Sequence, residues 1–499
     1  MILAISLKTF LKGSFWVSLA TVITRLAGFI TLPFLARTLD PSGLGIYNLI
    51  FNVISTADNL SRMGIDAAMS RNGAQYENIG TESVGRLFGV GSCLMIGIGT
   101  MIAISTGLFG NELAINWLGE PKIKPWMGIV AISIFLTEIG IPSWFFLLAL
   151  QEFRLYSLRM SILTIVSSMT TVILAYRFGL TGAIWSLAFT GFLQLVLGLG
   201  LTLPVLDKYK IKLRFDRFIP ESISILKFGL PFYAANFLGS FVALPLLGYV
   251  SKSGGIEQIG YLRVAQSLSQ FVSFLPAAIA PVLVSSLSAS LVGDSKDHQR
   301  LKSLHLRILW SVILFTSLAI SFNLDWIVGL LFGASYQQAI ILSRLTIWIT
   351  AISSLAGMLS QYVLSLGNTR AIAIIQTTSL ILMVLIAMIL IPQYNSLGLL
   401  IAQGVSVFFT LIAYVKPALA DMDTSEHKYL WLLTFESATL FVLSFLPSII
   451  RSSTFINVTL SLVFLVMGLT LTLSGCFTAQ ERLSAYSLLK NLIAKIKTR

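Results

Sequence analysis

Charge is scarce in this 499-residue chain: Asp, Glu, Lys and Arg together make up 11% of it, against roughly a quarter in soluble domains. With 56% of its residues hydrophobic, the chain cannot be an ordinary water-soluble fold. Only two cysteines occur, Cys93 and Cys476, both within apolar runs; neither a disulfide framework nor a cysteine metal site is expected. Three histidines, His298, His305 and His427, lie in or beside polar stretches, too scattered for zinc chemistry. No GxxxxGK[ST] loop is present, which excludes ATP hydrolysis by the usual P-loop route. No small-residue cleavage site follows the first apolar run, which Arg25 interrupts, so a retained first helix is expected and not a signal peptide.

What the chain has instead is a succession of apolar runs of about 20 residues, each long enough to cross roughly 30 Å of hydrocarbon as a helix. Fourteen spans are expected, near 14–36, 43–66, 87–108, 126–150, 156–176, 180–204, 223–250, 258–290, 303–324, 338–362, 371–391, 396–417, 429–449 and 454–476. The fold class is therefore an all-α polytopic membrane protein with about 14 transmembrane helices. Alternate loops carry few basic residues: Arg37, Lys122, Lys124, Arg177, Lys252 and Arg451. Apart from four arginines inside spans, the rest of the 34 Lys and Arg fall on the opposite side, including the KYKIKLRFDR segment at 208–217. Both termini are then cytoplasmic by the positive-inside rule. The net charge of +13 reads as topology and contact with anionic lipid, and no nucleic-acid partner is expected.

An internal repeat sets the organisation. Leu148, Leu150 and Arg154 recur as Leu364, Leu366 and Arg370, and Gly182 recurs as Gly398, all at an offset of 216. Leu32-Pro33 matches Leu244-Pro245, and Tyr47 matches Tyr261, at 212 and 214. Matching spans lie six apart, so the copies share one topology and relate by an axis along the membrane normal. The chain divides into a six-helix lobe at 1–205, a basic cytoplasmic linker at 206–222 and a second pseudo-symmetric six-helix lobe at 223–418. Two further helices fill 419–476, and an amphipathic basic tail at 477–499 lies on the membrane surface.

Ionisable residues inside spans are costly and should face a cavity or a partner. In the second span Asn48, Asn52, Ser55, Asn59, Arg62 and Asp66 recur at helical steps, with Asp58 one turn before Arg62. Arg25 sits in the middle of the first span, Arg263 shares a face with Gln266 and Gln270, Arg344 lies a turn inside the tenth, and Glu138 precedes Pro142. Pooled, Arg25, Arg62, Arg263 and Arg344 suggest a cationic cavity between lobes, suited to gripping phosphate. Asp58 and Glu138 are candidates for binding a coupling proton or sodium ion; Asn52, Asn59, Gln266 and Gln270 are candidate polar lining. No cofactor is expected. The competing reading is structural: Asp58 and Asp66 neutralise Arg62, Arg263 and Arg344 snorkel to the span ends, and the carboxylates tie helices together.

TLPFLARTLDPSGLGIYNLIFNVI at 31–54 and RMGIDAAMSR at 62–71 resemble the start of polysaccharide flippases of the O-antigen exporter type, within the multidrug/oligosaccharidyl-lipid/polysaccharide exporter superfamily. IVGLLFGASYQQA at 327–339, GLTGAIWSLAF at 179–189 and NSLGLLIAQGV at 395–405 carry the same resemblance further along the chain. It implies a V-shaped, two-lobe transporter flipping an undecaprenyl-diphosphate-linked oligosaccharide across the bacterial cytoplasmic (inner) membrane by alternating access. The glycan is then an O-antigen, capsule or related precursor, and other polysaccharide-assembly proteins are implied partners. It further implies that Arg25 and Arg62, with Arg263 in the second lobe, engage the diphosphate. The fourteen-helix count resembles the lipid II flippases.

Three rival functions make different demands. A multidrug or small-cation exporter of the same superfamily is expected to have an acidic cavity, whereas the intramembrane charge here leans basic. A membrane polymerase or ligase needs a large extracytoplasmic loop carrying catalytic groups. The longest loop on the lightly charged side runs only from about 109 to 125, so no enzyme is expected. A scaffold within a glycan-assembly complex would tolerate loss of its intramembrane charge.

Overall fold

In lipid every backbone N–H and C=O must be satisfied internally, and a helix does this within a single segment. The computed structural model describes residues 2–73, 76–290, 295–365, 368–419, 424–445 and 454–476, and these are helical throughout apart from short turns, with no strand among them. The helices begin with α1 (Ile2–Arg62), α2 (Ile65–Gly73), α3 (Tyr76–Leu108), the single turn α4 (Gly110–Glu112), α5 (Met127–Gly140), α6 (Pro142–Ala149), α7 (Phe153–Lys208) and α8 (Phe218–Gly254). They continue with α9 (Glu257–Ser290), α10 (Ser295–Phe322), α11 (Leu324–Leu331), α12 (Ala339–Ser365), α13 (Thr369–Tyr394), α14 (Ser396–Leu419), α15 (Thr424–Leu443) and α16 (Thr454–Cys476). The tail at 477–499, Leu366 and Arg451 lie outside the described residues.

Among the described residues nine helical segments are long and apolar enough to cross a membrane; this is a multi-pass membrane protein. Two of the nine, Phe15–Arg62 and Phe153–Lys208, are 48 and 56 residues long. Each would extend roughly 70–85 Å if straight, over twice the hydrocarbon thickness. Both are interrupted near the middle, at Asp40 (φ 56°, ψ 171°) and Gly179 (φ 58°, ψ −140°). These interruptions fall in the gaps expected between the first and second spans and between the fifth and sixth.

By internal contacts the chain forms two compact units, one of residues 1–263 with 387–399, the other of 264–386 with 400–499. In the first, α1 and α5 pack along α7, and α3 packs on α5. One end is filled by a cluster including Ile65, Met69, Phe88, Phe146 and Leu147, with the Phe88 and Phe146 rings stacked at 4.4 Å. In the second, α10 packs against α12, α15 and α16. Trp310 Nε1 donates to Ser437 at 2.9 Å and Trp348 Nε1 to Ser444 at 3.0 Å, so neither indole N–H is left unpaired in the bundle. Apolar side chains left exposed, such as Met169, Ile173, Leu385 and Ile389, are what a lipid-facing surface requires.

The repeat seen in the sequence is also present in the backbone. Gly179 and Asn395, 216 apart, are both left-handed (φ 58° and 52°). Gly182 and Gly398 each pack on a carbonyl eight residues back, that of Leu174 and that of Leu390. At the other matched break, Asp40 and Gly255 both have positive φ. Just beyond them two glycines meet reciprocally: the Ile256 carbonyl occupies the space of a Cβ at Gly45, and the Pro41 carbonyl that of a Cβ at Gly260. Two corresponding helix starts thus pack on each other through bare backbone, as a two-fold relation demands.

The linker at 206–222 is pinned to α3. Gly85 accepts the Arg214 N–H at 3.0 Å, Arg86 pairs with Asp216 at 2.9 Å, and Arg214 pairs with Glu82 at 2.8 Å. The hydrogen bond from Arg86 holds the Asp216 carboxyl below its ordinary value.

Candidate functional site

The second half of α1 carries the polar stripe. Asn48 is buried, and the Asn52 amide donates to the Asn48 carbonyl at 2.7 Å, which keeps this pair on the helix's own backbone. Nearly three turns further on, Arg62 forms a two-pronged pair with Asp58: Nε donates to Oδ1 at 2.8 Å and Nη2 to Oδ2 at 2.6 Å. The two side chains keep 30% and 23% of their exposure, so the fork stands open on one side. The Arg62 guanidinium also lies 5.7 Å from the Phe145 ring of α6.

The stripe does not continue to Asp66 as one helix. Helix α1 ends at Arg62, Met63 and Gly64 take positive φ (42° and 78°), and Asp66 begins α2, where its carboxylate accepts the Ala67 N–H at 2.8 Å. The break follows from a close approach: the Gly229 backbone of α8 occupies the space of a Cβ at Gly64, and the Gly64 backbone does the same at Gly229. The i, i+4 geometry between Arg62 and Asp66 therefore does not exist, and it is Asp58 that makes the fork with Arg62.

Glu138 is 1% exposed in α5 and accepts a 2.5 Å hydrogen bond from Ser61 of α1. Its other oxygen has no hydrogen-bond partner. The buried carboxylate thus meets α1 at Ser61, one residue before Arg62. Arg25, in the first half of α1, is half-buried, beside Thr24, whose hydroxyl meets that of Thr164 in α7 at 3.2 Å.

Arg263 of α9 lies 5.3 Å from the Phe51 ring of α1, with Nε buried and unpartnered. Phe51 and Arg62 are three helical turns apart on one face, about 16 Å along the axis. The fold thus brings Arg263 to the same face of α1 that carries Arg62 and Asp58. Arg344 belongs to the other unit and is fully buried in α12. Its guanidinium faces Asp325 at 3.7 Å, the Ser321 carbonyl at 3.4 Å and the Phe445 ring at 5.5 Å. Gln266 lines a cavity in that unit, Gln270 is exposed and Asn59 half-buried.

Sequence reasoning missed Arg159, which is fully buried in α7. It answers a defect at the α5–α6 junction. Pro142 has no N–H, and the Trp144 N–H bonds Ile141 instead of Gly140, so the Gly140 carbonyl loses its helical donor. Ser143 and Arg159 Nη2 both donate to it, the latter at 2.9 Å. Arg159 also donates to Ser143 Oγ at 2.5 Å and to the Gln194 carbonyl at 3.1 Å, over the Trp144 ring at 4.1 Å. Gly140-Ile-Pro142 was the available signal, because a helix broken inside a membrane must find donors elsewhere. Arg307 of α10, in the second unit, is nearly fully buried and donates to the Cys476 carbonyl of α16 at 2.5 Å.

A family model described as polysaccharide biosynthesis protein matches residues 10–291, more than half of the chain. The chain belongs to this polysaccharide biosynthesis protein family. Over 150 residues the chain is 27% identical to the lipid III flippase of Escherichia coli K12 and, over the same length and at the same identity, to that of Shigella flexneri. Each match covers 28% of this chain and only 33% of the relative. Among solved structures, the lipid II flippase MurJ in an inward closed conformation superposes with a TM-score of 0.69 at 15% identity, over 92% of this chain and 98% of that one. An inward-facing multidrug resistance MATE family transporter of the MOP superfamily gives 0.60 at 16% identity, over 80% and 93%. At such identities the likeness is one of fold, and it places this member of the family on the MurJ- and MATE-like helical architecture.

Proposed function

We propose that this protein is a flippase, not an enzyme, that carries an undecaprenyl-diphosphate-linked oligosaccharide across the bacterial cytoplasmic membrane by alternating access, with both termini cytoplasmic. The observation that carries this reading is the face of α1 on which Arg62, held in an open fork by Asp58, and Arg263, set against Phe51, are aligned. Guanidinium groups stay charged in a low-dielectric setting and match two phosphate oxygens at once. A diphosphate headgroup cannot cross the hydrocarbon unaided, and arginines spaced along one face offer it successive stations. Family membership and the partial likeness to lipid III flippases support a lipid-linked glycan as cargo. Arg25 is assigned to the same path from its position in α1, and Arg344 is assigned to diphosphate binding in the second lobe. Asp58 and Glu138 are assigned to proton or sodium coupling.

The rival with an observation behind it is a cation exporter. Glu138 is a buried carboxylate with one oxygen unpaired, which a protonatable or cation-binding site would use. A lipid II cargo is the alternative within the flippase class. The test is transbilayer movement of a lipid-diphosphate oligosaccharide in reconstituted vesicles, comparing the wild type with Arg25→Ala and Arg62→Ala. Movement by wild type and its loss in the inserted, folded variants is the expected result. Inactive wild-type vesicles that instead extrude cationic dyes would establish the rival.

A further inference from the structure

We propose that the second unit contains a binding site for an uncharged sugar ring, formed between α9, α12, α13 and α14; this rests on the flippase reading and names where part of the glycan is held. A half-open cavity of about 370 Å³ lies there, at the small end of the roughly 300–1,000 Å³ typical of ligand sites. No ionisable side chain is among its lining residues. Its polar groups are amides and hydroxyls. Thr346, Thr350 and Ser353 follow one another at helical spacing on α12, facing Gln266 of α9 and Gln403 of α14. Thr350 lies close to the midpoint of α12, the depth at which transporters of this kind of internal symmetry hold their substrates.

The hydrogen-bond inventory points to a neutral ligand. The Thr346 hydroxyl donates to the Leu342 carbonyl at 2.7 Å, which leaves its lone pairs to accept. No hydrogen bond engages the side chains of Gln266, Thr350, Ser353 or Gln403 among the described residues. Both amides therefore offer two donors and an acceptor each, and both hydroxyls offer a donor and acceptors. Polar groups left unpaired within a helix bundle are unfavourable, so water or a ligand must meet them. A phosphate would want a cation and finds none in the lining. A metal ion would want a carboxylate and also finds none. A pyranose presents hydroxyls that both donate and accept around an apolar ring, and Ile349 and Met383 provide apolar wall beside the polar groups.

The test uses the full-length protein in detergent and two probes: undecaprenyl diphosphate, and the same lipid carrying a short neutral oligosaccharide. The double variant Thr350→Val, Gln403→Leu keeps side-chain volume while removing hydrogen bonds. Each lost bond to a neutral group weakens binding several-fold. The variant is therefore expected to bind the glycosylated lipid about tenfold or more less tightly than wild type, and the bare diphosphate lipid equally well. A variant that treats both lipids as wild type does, or that loses both in parallel, overturns the proposal. Wild type that binds neither lipid overturns the flippase reading itself. A second measurement guards against misfolding: Ser353→Cys is expected to react with a maleimide, and free oligosaccharide to slow that reaction. Protection by sodium ions and not by oligosaccharide would also overturn the proposal.

Discussion

Removing the Asp58 charge while keeping its shape, as Asp58→Asn, is expected to tighten binding of a lipid diphosphate. In the structure both carboxylate oxygens occupy the Arg62 fork, at 2.6 and 2.8 Å. A phosphate that takes Arg62 must displace this carboxylate and then sit beside its negative charge. Both side chains remain partly exposed, 30% and 23%. The fork therefore falls in the range of a partly solvated, two-pronged pair, about 1 kcal/mol, and well short of the 3–5 kcal/mol lost when a fully buried pair is broken. Releasing about 1 kcal/mol corresponds to roughly fivefold tighter binding. The assay is equilibrium binding of undecaprenyl diphosphate to the solubilised protein, with Arg62→Ala as the opposing control. If Arg62 merely has its charge neutralised within the bundle, Asp58→Asn would lower stability and leave affinity alone. Unchanged or weaker binding by Asp58→Asn in a folded protein would refute the reasoning.

Two further predictions concern the frame that holds the site. Arg159→Ala should destabilise the protein by about 2–4 kcal/mol, because it strips a donor from the Gly140 carbonyl and leaves Ser143 and Gln194 short of a partner; titration with SDS, followed by circular dichroism, measures it, and a shift within 0.5 kcal/mol of wild type would refute it. Gly45→Ala and Gly260→Ala should each destabilise by about 1–3 kcal/mol through contact with the opposing carbonyl. Because the two contacts belong to one reciprocal interface, the double variant should fall short of the sum in the same titration.

Most of the helical spans could be read from the sequence, because hydrocarbon thickness sets a minimum apolar length and excludes every open alternative to helix. The repeat could be read too: its offset of 216 reappears as paired left-handed residues at Gly179 and Asn395. The candidate site was legible only in part. Arg62 and Asp58 lie four apart on one helix, so local geometry alone predicts their pairing. The same local logic failed for Asp66, because the backbone approach of Gly229 to Gly64 breaks the helix between them, and nothing near Asp66 in the sequence announces a contact from residue 229.

The sequence by itself determined the solvent, the all-helical class, the internal duplication and the residue types that could meet a diphosphate, since each of these follows from composition, run length or spacing along one element. Only the tertiary structure decided what each intramembrane charge faces. Arg159 serves the carbonyl stranded at the α5–α6 break and Arg307 the Cys476 carbonyl, Arg344 faces Asp325, and Arg62 and Arg263 share one face of α1. A buried arginine is stable against either a carbonyl or a ligand, and which one it meets depends on helices that are distant in sequence and adjacent only after packing.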